Sequence, residues 1–336
     1  MSTRDQIIDA MDGKGGDCPP AAVFTQTGTV SQMDACGSYW PEANFVASKM
    51  VELALQAHKR FGFGTIRIPF DITVQAEAFG CSVDKGRKNS QPAVMSSPFN
   101  DGSMEIPPVP EDFIPVEEFM KNPRIRTMLE AAELASGHGL FSTAAMTGPL
   151  GSANDILGME NVMMALMMDE SVVKSWVAAL KPHAMAYAEA LSSRCDNVLI
   201  IEEITTDLIP AEYFESITAS PLKDVIKSAR SDSYCSIHCC GSTIEVADKV
   251  SSLGEDALSP QASDCMEEYV DLVNGRTRLL GSVNPVDTLL MGTPADVVAQ
   301  AKKSAEAGFD LITPECGIPP ETPDENMLAL SEYASR

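Results

Sequence analysis

The stretch NVLIIEEITTDLIPAEYFESITASPLKDVIKSARSDSYCSIHCC, residues 197–240, shows how this chain is organised. NVLIIEE (197–203) and YCSIHCC (234–240) are short runs rich in apolar and β-branched residues, which is typical of buried strands. Between them PLKDVIKSAR (221–230) carries apolar residues at helical spacing. A strand, a helix and a second strand in this order predict two parallel strands joined by a crossover helix.

The same alternation runs through the whole chain. We predict eight strands, over residues 21–27, 65–70, 140–148, 197–203, 234–240, 256–260, 278–284 and 309–314. The main predicted helices cover residues 43–62, 125–137, 171–193, 221–230, 244–254, 266–275, 294–308 and 325–334. Eight strands alternating with helices favour an α/β fold of the single (β/α)8 TIM-barrel type over an open doubly wound sheet. No break in composition marks a second domain, so we expect one barrel domain over residues 1–336.

Two segments interrupt this regular pattern. Residues 81–115 are rich in Pro, Ser, Asn and Gly, which predicts a long loop inserted after strand 2 and lying over one end of the barrel. The methionine cluster NVMMALMMDE (161–170) is interpreted as core packing, because the flexible methionine side chain fills irregular gaps.

Composition excludes several classes of partner. Asp and Glu number 48 against 24 Lys and Arg, which gives a formal net charge of −24. Such an acidic surface repels phosphate backbones and anionic lipids, so neither nucleic acid nor membrane is expected as a partner. No run of 18 or more apolar residues and no signal-peptide core occurs, which predicts a cytoplasmic protein. Nine cysteines without a regular framework indicate reduced thiols that are either buried or bound to metal.

The residues most informative about chemistry lie at the ends of two predicted strands. In IHCCGS (237–242), His238 and Cys240 are two residues apart and therefore share one face of the strand. Cys316 follows the last strand in TPECGIPPETP (313–323), and the carboxyl ends of all barrel strands meet at one rim. Three nitrogen and sulfur ligands with an open fourth position are typical of catalytic zinc, whereas a structural zinc site has four ligands. The alternative is that these cysteines are ordinary buried residues.

Further motifs surround these ligands. They are TQTGTVSQMDACG with WPEA (25–43), RIPFDITVQAEAFGC (67–81), TGPLGSA (147–153), LLMGTPADV (289–297), and the two ligand motifs IHCCGS and PECGIPPETP. In these motifs, which cover nearly the whole chain, the sequence resembles the zinc-dependent methylcobalamin:coenzyme M methyltransferases of methanogens, within the uroporphyrinogen decarboxylase superfamily. The two ligand motifs are the most specific part of the resemblance.

The resemblance implies an activity and a set of partners. It implies one Zn²⁺ per chain, held by His238, Cys240 and Cys316, that binds the thiol of coenzyme M and lowers its pKa. The resulting thiolate attacks the methyl group of a methylated corrinoid carried by a corrinoid-binding partner protein. The implied function is therefore methyl transfer to coenzyme M in methanogenesis from methylated compounds.

Other site residues are assigned less directly. Glu203 is a candidate fourth ligand, displaced by substrate, or a candidate proton acceptor in catalysis; a solvated or helix-capping carboxylate is the alternative. Coenzyme M carries a sulfonate, for which Gln26, Thr27 and Arg67 at strand ends are the candidate binding residues. An ion pair with Asp71 is the alternative role for Arg67. The chain departs from the family pattern at IEEI (201–204) and at SPQASDC (259–265).

Three other functions fit the sequence in part. One is corrinoid methyl transfer to a different acceptor, a pterin or another thiol. Another is a metal-free porphyrinogen decarboxylase-like lyase. The carboxylate-rich substrate of such an enzyme requires arginines near the N-terminus, but the only basic residue between Arg4 and Lys49 is Lys14. The last is a non-enzymatic corrinoid- or zinc-binding accessory protein. Four protein ligands to the metal would indicate such a protein, whereas three ligands with an open position would indicate an enzyme.

Overall fold

Seven parallel strands form the central sheet of the computed structural model, which describes residues 2–16 and 18–335. In chain order the strands are β1 (Thr65–Ile68), β2 (Ser82–Asp84), β3 (Ala93–Ser96), β4 (Phe141–Thr147), β5 (Asn197–Ile201), β6 (Tyr234–Cys239), β7 (Ala257–Pro260), β8 (Arg278–Val283) and β9 (Leu311–Pro314). The sheet order is β1-β4-β5-β6-β7-β8-β9, and every neighbouring pair is parallel. The predicted α/β class with a parallel sheet is confirmed.

The first predicted strand, residues 21–27, does not form a strand. Ala21 makes a single parallel bridge to Ile312 of β9, and the backbone N–H of Ala22 donates to the carbonyl of Ile312 at 3.0 Å. On the other side the N–H of Val23 donates to the hydroxyl of Thr65 in β1. This second contact uses a side chain, so a backbone ladder to β1 does not develop. The segment lies between the first and last strands of the sheet, but an eighth strand is not confirmed.

Helices follow most strands and cover the outside of the sheet. Their bounds are α1 (Thr3–Met11), α2 (Val30–Cys36), α3 (Glu42–Phe45), α4 (Ala47–Ala54), α5 (Gln56–Phe61), α6 (Val74–Ala78), α7 (Val116–Lys121), α8 (Pro123–Ser136), α9 (Pro149–Leu157), α10 (Met159–Ser192), α11 (Ala219–Ala229), α12 (Ala247–Val250), α13 (Met266–Val273), α14 (Pro294–Ala307) and α15 (Asp324–Ser331). The helix predicted over 43–62 is divided into α3, α4 and α5; the break between α3 and α4 falls at Val46, which has extended backbone angles. The helix predicted over 171–193 begins earlier, at Met159, and is kinked at Asp169.

The segment 81–115 is not a simple loop. It contains the antiparallel hairpin of β2 and β3, in which Val83 pairs with Val94. Further along, Phe99 and Phe113 pack edge-on against Trp176 of α10, whose indole N–H donates to the carbonyl of Pro107 at 2.7 Å. Aromatic burial therefore attaches the second half of this segment to the helical layer.

The methionine cluster of residues 161–170 lies in the first part of α10. Its apolar residues Val162 and Leu166 are buried, as predicted, but Met167 and Met168 are 79% and 80% exposed. The packing interpretation is therefore wrong for these two methionines. Buried residues four apart define the inward face of a helix, and Met167 and Met168 lie outside that face.

Apolar packing closes the amino-terminal end of the sheet. A small core cluster joins Ile7, Ala10 and Met11 of α1 with residues from the segment after it and from β4, β7, β8 and β9. A larger core cluster fills the space between the sheet and the outer helices. The sequence-predicted ligands His238, Cys240 and Cys316 lie at the opposite, carboxyl ends of the strands, where barrel-type enzymes place their sites. Within the described residues, no helix combines the length and apolar character needed to cross a membrane.

Candidate metal centre

His238, Cys240 and Cys316 come together at the carboxyl ends of β6 and β9. The Nε2 atom of His238 lies 3.2 Å from Sγ of Cys240, and that sulfur lies 3.6 Å from Sγ of Cys316. All three candidate ligand atoms lie within 4.8 Å of one another. Glu203 does not belong to this group of potential metal ligands. The structure therefore brings together the three residues chosen from the sequence.

The end of β6 explains how two of these side chains are presented. His238 and Cys239 are successive strand residues on opposite faces, and Cys239 packs into the large core. The chain then turns at Gly241, which has a φ of 69°. A side chain at this position would bring its Cβ to 2.8 Å from Cβ of Thr205, so the turn that follows Cys240 requires glycine.

Ser259 orients the imidazole of His238. The Nδ1 atom lies 3.0 Å from the backbone carbonyl of Ser259 and 3.2 Å from its hydroxyl. A carbonyl only accepts, so Nδ1 carries the proton and Nε2 presents its lone pair toward the two sulfurs. This is the arrangement that metal-binding histidines use, with the outer nitrogen fixed by a hydrogen bond.

Glu315 fixes the backbone that precedes Cys316. Its buried carboxylate accepts hydrogen bonds from the N–H groups of Ala262 and Ser263 at 3.1 and 2.8 Å, and from the hydroxyls of Ser263 and Ser282 at 2.9 and 2.5 Å. Residues 259–265 depart from the family pattern in sequence, yet they supply the support for both His238 and the loop of Cys316. Sequence reasoning missed Glu315; its position next to a predicted ligand was the available signal.

The two cysteines do not ionise alike. Contact with Cys240, followed by the proximity of His238, lowers the pKa of the Cys316 thiol. The same contact with Cys316, followed by burial, raises the pKa of the Cys240 thiol. Of the two thiols, that of Cys316 is therefore the more readily available as a thiolate, the form that binds metal.

Two neighbouring glutamates at the end of β5 have different surroundings. Glu203 is half-buried, and burial raises the pKa of its carboxyl, with an opposing effect from His238. Glu202 is fully buried, and burial raises its pKa to about 7. Its carboxylate accepts from the N–H of Gly151 at 2.7 Å in the first turn of α9. Glu202 thus caps a helix, and the helix-capping alternative considered for Glu203 applies to its neighbour instead.

Arg67 is a residue of β1, and its side chain is buried, with only 4% of the residue exposed. Its Nε donates to the carbonyl of Phe24 at 3.3 Å and its Nη1 donates to the carbonyl of Pro69. Burial lowers its pKa to about 9, while the proximity of Cys316 acts in the opposite direction. The guanidinium therefore remains charged at neutral pH and lies within electrostatic reach of the candidate ligand.

The alternative of an ion pair between Arg67 and Asp71 is wrong. Asp71 pairs instead with Arg124 and accepts hydrogen bonds from the N–H and hydroxyl of Thr73 at 2.7 and 2.8 Å. Among the described residues, Arg67 has no carboxylate within 4.0 Å. A buried cation without an anionic partner is costly, which points to an anion that binds there.

Gln26 and Thr27 belong to the segment that contacts the loop of Cys316. The side-chain oxygen of Gln26 accepts from Gln91 of the 81–115 segment, and its backbone carbonyl accepts from the N–H of Ile318 at 2.9 Å. Gln26 is thus attached to the loop that carries Cys316. Thr27 is buried, and its hydroxyl has no hydrogen-bond partner among the described residues. The hydroxyl is therefore available to a ligand.

The donor set fits a zinc ion. One imidazole nitrogen with a fixed tautomer and two thiols, one of them acidic, are ligands that zinc prefers. Three protein ligands within one group leave a position for a further ligand, so the set corresponds to a catalytic site rather than a closed structural one.

Comparisons with known proteins agree in their assignment. Residues 2–336 match the uroporphyrinogen decarboxylase (URO-D) family. The chain is 31% identical to the methylcobamide:CoM methyltransferase MtbA of Methanosarcina mazei, over 98% of this chain and 97% of that protein. It is 30% identical to the methylcobamide:CoM methyltransferase MtaA of Methanosarcina barkeri, over 98% of this chain and 96% of that protein.

A solved structure shows the same relationship. A methyltransferase from Methanosarcina mazei superposes with a TM-score of 0.89 at 28% sequence identity, over 100% of this chain and 98% of that chain. Full-length coverage in every comparison means that the whole chain, rather than one motif, carries the similarity. The chain therefore belongs to the uroporphyrinogen decarboxylase family and, within it, to the family of methylcobamide:CoM methyltransferases.

Proposed function

We propose that this protein is a zinc-dependent methyltransferase that moves a methyl group from a methylated corrinoid protein to the thiol of coenzyme M, in methanogenesis from methylated compounds. The observation that carries the proposal is the grouping of His238, Cys240 and Cys316 within 4.8 Å at the strand ends. The names of its relatives supply the donor and acceptor, since the proteins from Methanosarcina mazei and Methanosarcina barkeri are methylcobamide:CoM methyltransferases.

Each group in the site has a role in this reaction. His238, Cys240 and Cys316 would hold the zinc, which when bound supplies Lewis acidity that favours the thiolate of a coordinated thiol. Ser259 keeps Nε2 of His238 free of a proton, and Glu315 holds the loop of Cys316 in place. Arg67 binds the sulfonate, with Gln26 and Thr27 beside it. The Glu203 carboxylate takes the proton that the thiol releases, since its position next to His238 and Cys316 is within electrostatic reach.

The remaining parts of the proposal concern architecture and partners. We infer that the segment 21–27 closes the seven strands into an eight-membered barrel, because it contacts both β9 and β1. Residues 1–336 would then act as one domain, working in the cytoplasm. The corrinoid-binding partner would approach the carboxyl ends of the strands, where the candidate ligands lie.

The test combines metal content with methyl transfer. We expect about one zinc per chain by mass spectrometry of the purified protein, and transfer from methylcobalamin to coenzyme M that depends on it. Cys316→Ala should lose the zinc and the transfer together. Cys18→Ser is the matched control, because Cys18 is an exposed cysteine away from the group and its loss should change neither measurement.

The outcomes separate the alternatives. Zinc at one per chain with transfer only to a pterin or to another thiol would replace the acceptor. Absence of zinc, with full transfer retained by Cys316→Ala, would refute the metal mechanism. If added thiols do not coordinate the bound zinc, and no methyl group is transferred to any acceptor, the protein would be an accessory protein.

A further inference from the structure

A cavity of about 730 Å³ lies between the 81–115 segment and α9. Its walls come from Ile72 and Thr73 after β1, from residues 92–97 and 100–102, and from residues 154–156 and 158. Residues 72–73 follow β1 and α9 follows β4, while the remaining wall comes from β3 and the chain around it. Neither the ligands nor the candidate sulfonate-binding residues line this cavity.

Most polar side chains in the cavity wall already have partners. The hydroxyl of Thr73 donates to Asp71 at 2.8 Å, and that of Ser96 bonds to Ser82 at 2.6 Å. Asn100 donates to the carbonyl of Leu157 at 2.7 Å and accepts from Gly102 at 2.9 Å. These groups are used in holding the hairpin and the loop after it against α9.

Asn154 and Asp155 are different. Asn154 is only 8% exposed, and neither its Nδ2 nor its Oδ1 has a hydrogen-bond partner among the described residues. The Oδ2 atom of Asp155, also buried, lacks one as well. A buried polar group without a partner costs about 1–3 kcal/mol. Three such atoms on adjacent residues in one wall indicate a ligand that supplies both donors and acceptors.

The charge of this wall selects the kind of ligand. Burial, followed by the carboxylates of Glu203 and Asp71, raises the pKa of Asp155 to about 8, so its carboxyl is mostly protonated at neutral pH. The wall is then uncharged at Asn154 and Asp155, while the carboxylates of Asp101 in the wall and of Asp71 and Glu203 behind it disfavour an anion. A neutral ligand that both donates and accepts hydrogen bonds fits best, and an amide is the simplest such group.

Glu203 connects the cavity with the metal centre. It is close enough to Asp155 to raise the pKa of that group, and its own pKa responds to His238 and Cys316. Glu203 is thus within electrostatic range of both the cavity wall and the candidate metal centre, which are formed by different residues. The edge of a corrin ring carries acetamide and propionamide side chains, whereas coenzyme M has none.

We propose that this cavity binds the amide-bearing edge of the corrinoid, with Asn154 as the main recognition residue. The inference rests on the proposed function, which supplies the corrinoid as donor. Ile72, Val94 and Met95 offer apolar surface to the ring, and Asn154 exchanges hydrogen bonds with one ring amide. Corrinoid and coenzyme M are then held by different residues.

The test measures binding separately from turnover. Equilibrium dialysis with methylcobalamin, and with methylcobinamide, which lacks the nucleotide loop, gives corrinoid affinities that do not require catalysis. We expect Asn154→Leu to weaken both about tenfold, the loss of roughly two hydrogen bonds. Zinc content and affinity for coenzyme M should not change. Ser96→Ala is the matched control, since that hydroxyl lines the same cavity but is already bonded to Ser82.

A second variant guards against misfolding. Ala93 is exposed on the hairpin and lines the cavity, so Ala93→Trp should obstruct part of it without touching the core, and should weaken both corrinoids at least tenfold. Retention of corrinoid affinity within twofold by both variants would overturn the proposal. An equal loss of coenzyme M affinity, or an effect on methylcobalamin alone, would also overturn it. If the protein transfers no methyl group but binds both corrinoids through Asn154, the proposed function fails and this inference stands.

Discussion

Replacement of Arg67 by methionine should weaken the binding of coenzyme M without weakening the fold. The guanidinium is buried, and its hydrogen bonds within the described chain use Nε and Nη1. Nη2 is left for an anion. A charge-assisted hydrogen bond contributes about 1.5–3 kcal/mol, so its loss should raise the dissociation constant for coenzyme M about 10- to 100-fold.

The effect on stability combines two opposite terms. Lowering the pKa of Arg67 from 12.5 to about 9 by burial corresponds to roughly 5 kcal/mol against the charged form in the folded state, which methionine removes. The same change leaves the carbonyls of Phe24 and Pro69 without a donor, at about 1–3 kcal/mol each. These terms largely cancel, so we expect the free energy of unfolding to change by no more than about 3 kcal/mol.

The assay compares two ligands that differ only at the anionic end. Calorimetric titration with coenzyme M and with 2-mercaptoethanol, which has a hydroxyl in place of the sulfonate, should show the loss for coenzyme M alone. Arg60→Met is the control, since Arg60 pairs with Asp324 away from the metal group. Equal weakening of both ligands, or unfolding at several kcal/mol lower stability with unchanged coenzyme M affinity, would show that Arg67 is structural and refute the reasoning.

Three other substitutions test buried groups that support the site or the sheet. Glu315→Gln replaces an acceptor of four hydrogen bonds by an amide; we expect a loss of about 2–4 kcal/mol in urea denaturation and faster zinc loss to a chelator, and unchanged zinc retention would contradict its supporting role. Gly148→Ala places a Cβ 2.6 Å from Cδ of Glu202 and should destabilise by about 1–3 kcal/mol, whereas Gly16→Ala, with nothing within 4 Å of its Cβ, should not; equal stability of the two variants would argue against this packing. Burial raises the pKa of Glu255 from 4.5 to about 8, so the folded chain holds the proton more tightly and stability falls as pH rises between these values. Glu255→Gln should therefore match the parent at pH 4 and exceed it by about 2–4 kcal/mol at pH 8 in denaturant titrations, and parallel pH profiles would rule this out.

The positions of seven strands could be predicted from the sequence because each is a short apolar run with distinct boundaries. The predicted strand 234–240 appears as Tyr234–Cys239, and 278–284 appears as Arg278–Val283. The segment 21–27 has the same composition but forms only a bridge at Ala21. Whether an apolar run joins a ladder depends on the backbone groups of its neighbours, and a single sequence does not contain that information.

Residues adjacent in sequence were the hardest to assign. Glu202 and Glu203 are chemically identical, and only the position of α9 decides that Glu202 caps a helix while Glu203 is near the metal group. Likewise Arg67 and Asp71 have a spacing that suits an ion pair, but Arg124, from a distant helix, takes the aspartate. Partners distant in the chain compete for each charged group, so local spacing alone cannot settle the pairing.

The sequence by itself determined the α/β class and the three candidate ligands, because strand period, residue type and position at strand ends are local properties; its motifs also carried the resemblance to the family. Tertiary structure alone decided which groups surround those ligands: the serine that orients His238, the glutamate that holds the loop of Cys316, and the cavity around Asn154. The physical reason is that hydrogen bonds and burial are set by distances in space, and parallel strands bring residues far apart in sequence to the same rim.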